Sequence, residues 1–180
     1  MLALSTFKTI PHKTIELGEG RITAPARTGA EMKAIIRASG TNLYVRKWAE
    51  RIVKSVPDRN ELREIEAIFD FVRRSLRYTK DPRGTEFVQK PDILLTQIEY
   101  GDTPGADCDD YTVLALSLLR SIGYQTLIRI AGYTQNGPFS HVYGMVQTRS
   151  GVWIPFDAVR KDKALGHEAP GRRWRMDMPV

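Results

Sequence analysis

Apolar positions along the chain change their period twice. From Asn60 or Glu61 to Leu76, the residues Leu62, Ile65, Ile68, Phe69, Val72 and Leu76 recur at helical spacing, and Arg73, Arg74, Arg77 and Lys80 gather near the C-terminal end where cations suit the helix dipole. Shorter helices are predicted over Glu31–Ser39 and Leu43–Val56, ended by Gly40 and Pro57. Between Val113 and Leu119 the run VLALSLL is apolar nearly all round, the pattern of a helix at the centre of a domain, and Gly123 closes it. Beyond that point the pattern becomes strand-like over 125–132, 140–148 and 152–158. The stretch from Tyr78 to Tyr100 contains Pro82, Gly84 and Pro91 with a helical turn near Ile93–Ile98, and is read as a loop walling a groove. This order predicts an α+β domain, a central helix packed on an antiparallel sheet.

Residues 1–29 mix short apolar pieces with Gly18, Gly20, Pro25 and Gly29 and read as an extended arm or peripheral strand. The domain is assigned to 30–160, and 161–180 reads as a polar, basic, poorly ordered tail. Hydrophobic content of 42% over 180 residues is enough for one core. The single cysteine excludes an intrachain disulfide and a multi-cysteine zinc site. The N-terminal apolar stretch is too short for a signal peptide, and no run approaches the roughly 20 residues that cross a bilayer, so the expected location is cytoplasmic or virion-associated. Net charge is +6, but the basic residues are spread over the helices without interleaved aromatics, which argues against a nucleic-acid site. The densest cluster, Arg172-Arg173-Trp174-Arg175, reads either as a solvated tail or as an electrostatic docking element.

Chemistry enters with Cys108, which lies where a turn runs into the central helix. Unpaired N–H groups and the positive end of the dipole at that address favour a thiolate and an adjacent oxyanion, whereas a small buried hydrophobe is the inert alternative. Of three histidines, only His141 falls on a predicted regular element. If Gly151 takes the left-handed position of a three-residue hairpin loop, Thr148 pairs with Val152 and Asp157 faces Tyr143. His141, Tyr143 and Asp157 then share one face, with His141 and Asp157 as diagonal neighbours about 7–8 Å apart at the backbone. A two-residue loop would separate them.

The segments GADCDDYTVLALSLLRSIGYQTLIRIAGY, SHVYGMV and GVWIPFDAV resemble the transglutaminase-like superfamily of papain-type cysteine enzymes, and the Cys-Asp-Asp-Tyr form is similar to small bacterial and phage-encoded transglutaminase-like cysteine proteinases. Tyr143-Gly144 after the histidine and Ala158-Val159 after the aspartate depart from the commoner patterns. The resemblance implies a papain-like fold with Cys108 as nucleophile, His141 as base and acid, and Asp157 as the group orienting the imidazole. It implies acyl transfer from a protein or peptide substrate through a thioester. Water as acceptor makes a peptidase or amidase and an amine makes a transglutaminase. A third reading is a virion or assembly component that keeps the fold and docks through the arm and tail.

Asp107, Asp109 and Asp110 flank the nucleophile and read as helix caps, with calcium binding as the alternative; otherwise no cofactor is expected. The same carboxylates oppose a thiolate electrostatically, so His141 is needed to stabilise the ion pair. An oxyanion hole would take the Cys108 N–H and a second donor from the groove wall, for which Gln89, Gln97 and Tyr100 are candidates.

Overall fold

The computed structural model describes residues 24–58, 60–81, 87–132, 139–168 and 174–180. Residues 1–23 of the arm, His12 and the pair Arg172-Arg173 lie outside them. Helix α1 (Ala24–Ser39) begins seven residues before its expected start. Pro25 and Gly29 read as breakers, but a proline in a first turn gives up no helical hydrogen bond. Gly29 lets β6 come close: a Cβ there would meet Met178 Sδ at 2.6 Å, and the methionine side chain would have to move. Helix α2 (Leu43–Val53) starts at the Asn42 cap, whose side chain accepts from the Tyr44 and Val45 N–H groups, and α3 (Glu61–Ser75) starts at Asn60 in the same way. The predicted α3 stripe is the buried one, Ile65, Ile68, Phe69 and Val72. A two-residue strand β1 (Arg77–Tyr78) pairs in parallel with β2 (Gly105–Ala106), and the turn expected near Ile93 is a full helix, α4 (Pro91–Glu99).

Helix α5 (Cys108–Ser121) is the centre of the molecule, buried on nearly every face as its apolar run requires. Gly123 ends it in the left-handed region (φ 97°), with the Tyr124 N–H returning to Leu119 O. The antiparallel sheet against it has the order β5-β4-β3-β6, from β3 (Gln125–Gly132), β4 (Phe139–Gln147), β5 (Trp153–Phe156) and β6 (Trp174–Pro179). The hairpin register is the one that a three-residue loop dictates. Gln147 pairs with Trp153 and Gly144 with Phe156, around a Gly151 at φ 87°. Strand β6 corrects the reading of the C-terminal segment as disordered. Met176 is buried and Met178 packs on the core, while Asp177 pairs in register with Arg129 of β3. A basic composition concealed that alternation.

Candidate active site

The start of α5 is built by its own acids. The Asp107 carboxylate accepts from the Asp109 and Asp110 N–H groups at 3.0 and 3.4 Å, and Asp110 Oδ2 accepts from the Asp107 N–H at 3.2 Å, completing a reciprocal capping box. Asp110, 1% exposed, also accepts from the Gln89 backbone N–H at 2.7 Å and Gln89 Nε2 at 2.8 Å. The second Gln89 amide bond goes to Gly105 O at 2.9 Å. Gln89, one of three candidate oxyanion donors, thus bridges the chain entering α4, strand β2 and the first turn of α5. Gln97 lies within α4, and Tyr100 caps it at 84% exposure. No described side-chain hydrogen bond carries either of them to Cys108, His141 or Asp157.

Cys108 occupies the first position of α5, partly buried, with Sγ 3.6 Å from Asp109 Oδ1. Thr112 Oγ1 bonds both Cys108 O (2.8 Å) and Val142 O (3.4 Å), which stitches this turn to β4 at the residue after His141. Burial pushes the Cys108 thiol well up, and the carboxylates of Asp109 and then Asp107 push in the same direction, opposed by the Val142 N–H. Burial and the flanking carboxylates together outweigh the thiolate that the helix end alone would favour. The N-terminal N–H groups are already occupied by Asp107, and the acids that satisfy them repel a second negative charge. Asp107 itself is held up at about 6, first by burial and then by Asp110.

His141 and Asp157 meet: Nε2 lies 2.8 Å from Asp157 Oδ2, both side chains almost fully buried. A carboxylate only accepts, so the bond places the proton on Nε2 and leaves Nδ1 as the ring nitrogen able to take one. The ring stacks on Tyr143, centroids 5.7 Å apart at 25°. Of the acids beside the nucleophile, Asp107, Asp109 and the thiol have ligand atoms within 4.8 Å of one another. Asp110 is not in that group. Two carboxylates and a soft thiol are a poor match to the six to eight oxygens that calcium takes.

A cluster behind the histidine escaped the sequence reading. Arg129 Nε and Nη2 bond both oxygens of Asp177, its Nη1 reaches Glu168 Oε1, and Glu168 also meets Arg175 and the Tyr143 hydroxyl. The available signal was an arginine inside the apolar run Leu127-Ile128-Arg129-Ile130-Ala131, which demands buried partners.

The core profile of the transglutaminase-like superfamily matches residues 46–158, and the chain belongs to that superfamily. Similar solved structures include a candidate cysteine protease from Cytophaga hutchinsonii (19% identity, TM-score 0.50, covering 76% of this chain and 46% of that one). A candidate protease from Parabacteroides distasonis matches at 13% identity and TM-score 0.51, covering 72% and 26%. A Rad4/XPC nucleotide excision repair complex matches at 11% identity and TM-score 0.51, covering 84% and 45%. This chain thus spans about half or less of each of those chains, and likenesses at such identity describe the fold. No curated protein sequence matches significantly. Among the described residues, no helix is long and apolar enough to cross a membrane.

Proposed function

We propose that the protein is a cysteine hydrolase of the peptidase or amidase type, with Cys108 as nucleophile, His141 as base and acid, and Asp157 as the group that holds the imidazole. The observation that carries the reading is the buried Nε2 to Oδ2 bond of His141 and Asp157, with Thr112 Oγ1 tying the Cys108 turn to β4 at Val142, the residue after His141. Because burial and Asp109 disfavour a free-standing thiolate, the thiol proton passes to His141 Nδ1 as the sulfur attacks the amide carbonyl carbon. The Cys108 N–H, at a helix position with no intrahelical acceptor before it, faces the developing oxyanion. The imidazolium then gives its proton to the leaving amine. A thioester remains, and water, activated by the same Nδ1, hydrolyses it to the carboxylic acid and the free thiol. The substrate class is a protein or peptide. An amine in place of water would give a transglutaminase.

Since fold neighbours include a DNA-repair complex, the site and not the fold must carry the assignment. The test is Cys108 alkylation by iodoacetamide across pH, together with cleavage of a peptide library, in wild type and His141→Ala. Alkylation of the wild type faster than that of His141→Ala near neutral pH, with cleavage lost in the variant, is expected. Equal slow alkylation in both, with no cleavage, would overturn the proposal in favour of a structural or assembly role. Incorporation of an added amine instead of hydrolysis would reassign the acceptor.

A further inference from the structure

One hydrogen bond does not fix an imidazole. With only Nε2 tied to Asp157, the His141 ring retains a swivel about the Nε2 to Oδ2 axis, and that swivel carries Nδ1 away from a thiol. In this protein the swivel meets the Tyr143 ring, which lies nearly parallel to the imidazole and is 1% exposed. Tyr143 is itself held at its far end, where the hydroxyl donates to Glu168 Oε1. Glu168 is immobilised in turn by Arg129 Nη1 at 2.9 Å and Arg175 Nη1 at 3.2 Å, and Arg129 by its two bonds of 2.7 and 2.6 Å to Asp177. Tyr143, Arg129 and Asp177 stand in register across β4, β3 and β6.

Two guanidinium groups and two carboxylates balance in charge, but a buried ion cluster is a weak source of net stability, since a well-packed apolar set is often as good. What it supplies is a single geometry for the phenol. We propose that Tyr143, locked through its hydroxyl by the Glu168, Arg129, Arg175 and Asp177 cluster, is a positioning residue that holds the His141 ring plane against Asp157. The inference rests on the assignment of His141 as the base. A phenol donating to a carboxylate also presents an electron-rich face, which favours the imidazolium formed when His141 takes the thiol proton. Glu168, Arg175 and Asp177 lie beyond residue 158, where the superfamily match ends, so this chain's own C-terminal segment completes its site.

The test uses the full chain in two variants. Tyr143→Leu removes the ring, and Tyr143→Phe keeps the ring without the tie. Two readouts are taken: the downfield proton NMR signal of His141 Nε2–H, and the rate of Cys108 alkylation by iodoacetamide. Tyr143→Leu is expected to broaden the signal into solvent exchange and to slow alkylation by about 10- to 100-fold, the scale of a displacement on the order of 1 Å. Tyr143→Phe, which leaves the core volume almost unchanged, should fall between wild type and Tyr143→Leu. A sharp signal and wild-type alkylation in Tyr143→Phe together with a folded Tyr143→Leu of the same behaviour would overturn the proposal. If wild type and His141→Ala are alkylated equally slowly and neither cleaves peptides, the hydrolase reading falls, and the NMR signal alone decides whether Tyr143 positions the ring.

Discussion

Gly144 lies directly beneath Leu116. A Cβ added at Gly144 would meet Leu116 Cδ2 at 2.6 Å and Cγ at 3.2 Å, so the central helix rests on bare backbone of β4. That contact sets the distance between the helix bearing Cys108 and the strand bearing His141. Gly144→Ala is expected to cost about 1–3 kcal/mol by overpacking. In a urea-denaturation cycle, Leu116→Ala should recover part of the loss when the two are combined. Strict additivity of the two substitutions would show that the contact does not set the spacing.

Asp109 Oδ1 lies 3.6 Å from the thiol and adds to the effect of burial in pushing its pKa up. Asp109→Asn removes the largest electrostatic contribution, second only to burial in raising the Cys108 thiol. The midpoint of alkylation against pH should therefore move to lower pH, and the rate at neutral pH should rise. A midpoint that stays in place or moves upward would show that Asp109 does not govern the thiol.

Asp107 makes stability depend on pH. Its carboxyl titrates near 6 in the fold against an ordinary value of 3.8, so between those values the native chain binds more protons than the unfolded one. Stability should therefore fall as pH rises through that window and level off above it. Asparagine caps a helix as well as aspartate does. Asp107→Asn is thus expected to gain about 1 kcal/mol at pH 7, a figure reduced for the partial exposure of the group, with the gain vanishing below about pH 4. Thermal melts of both proteins at pH 4 and pH 7 check the sign, which is wrong if the variant is the less stable at pH 7.

Gln89 separates a clamp from an oxyanion donor. Gln89→Met keeps the volume and the backbone bond to Asp110 but removes both amide bonds, leaving buried acceptors short of a donor. A loss of about 1–3 kcal/mol in stability is expected. Unchanged stability with a large fall in kcat would instead return Gln89 to the oxyanion hole.

Replacing the nucleophile should leave the fold alone. Cys108→Ser changes little volume at a partly buried site, so stability is expected to stay within about 1 kcal/mol while alkylation and hydrolysis are lost. Retained hydrolysis in this variant would remove Cys108 from the chemistry.

Local pattern was enough to determine the central helix with its Gly123 end and the α3 stripe, and it narrowed the β4–β5 hairpin to two registers, of which the three-residue loop places His141 and Asp157 on one face. Those features depend on period and turn chemistry within some twenty residues of one another, and such information is written in order along the chain. Tertiary structure alone decided the rest. Gly29 and Pro25 looked like breakers until Met178 supplied the reason for a glycine. The polar C-terminal segment became an edge strand because Arg129, buried in β3, needs Asp177 opposite it. Gln89, one of three candidate donors, is held as a clamp because Asp110 lies against it, and the thiol is pushed up first by its burial, which only packing decides, and then by the acids beside it. Each of these depends on which group satisfies a buried charge or an open N–H, and that partner stands far off in sequence or competes with nearer groups that only packing can rank.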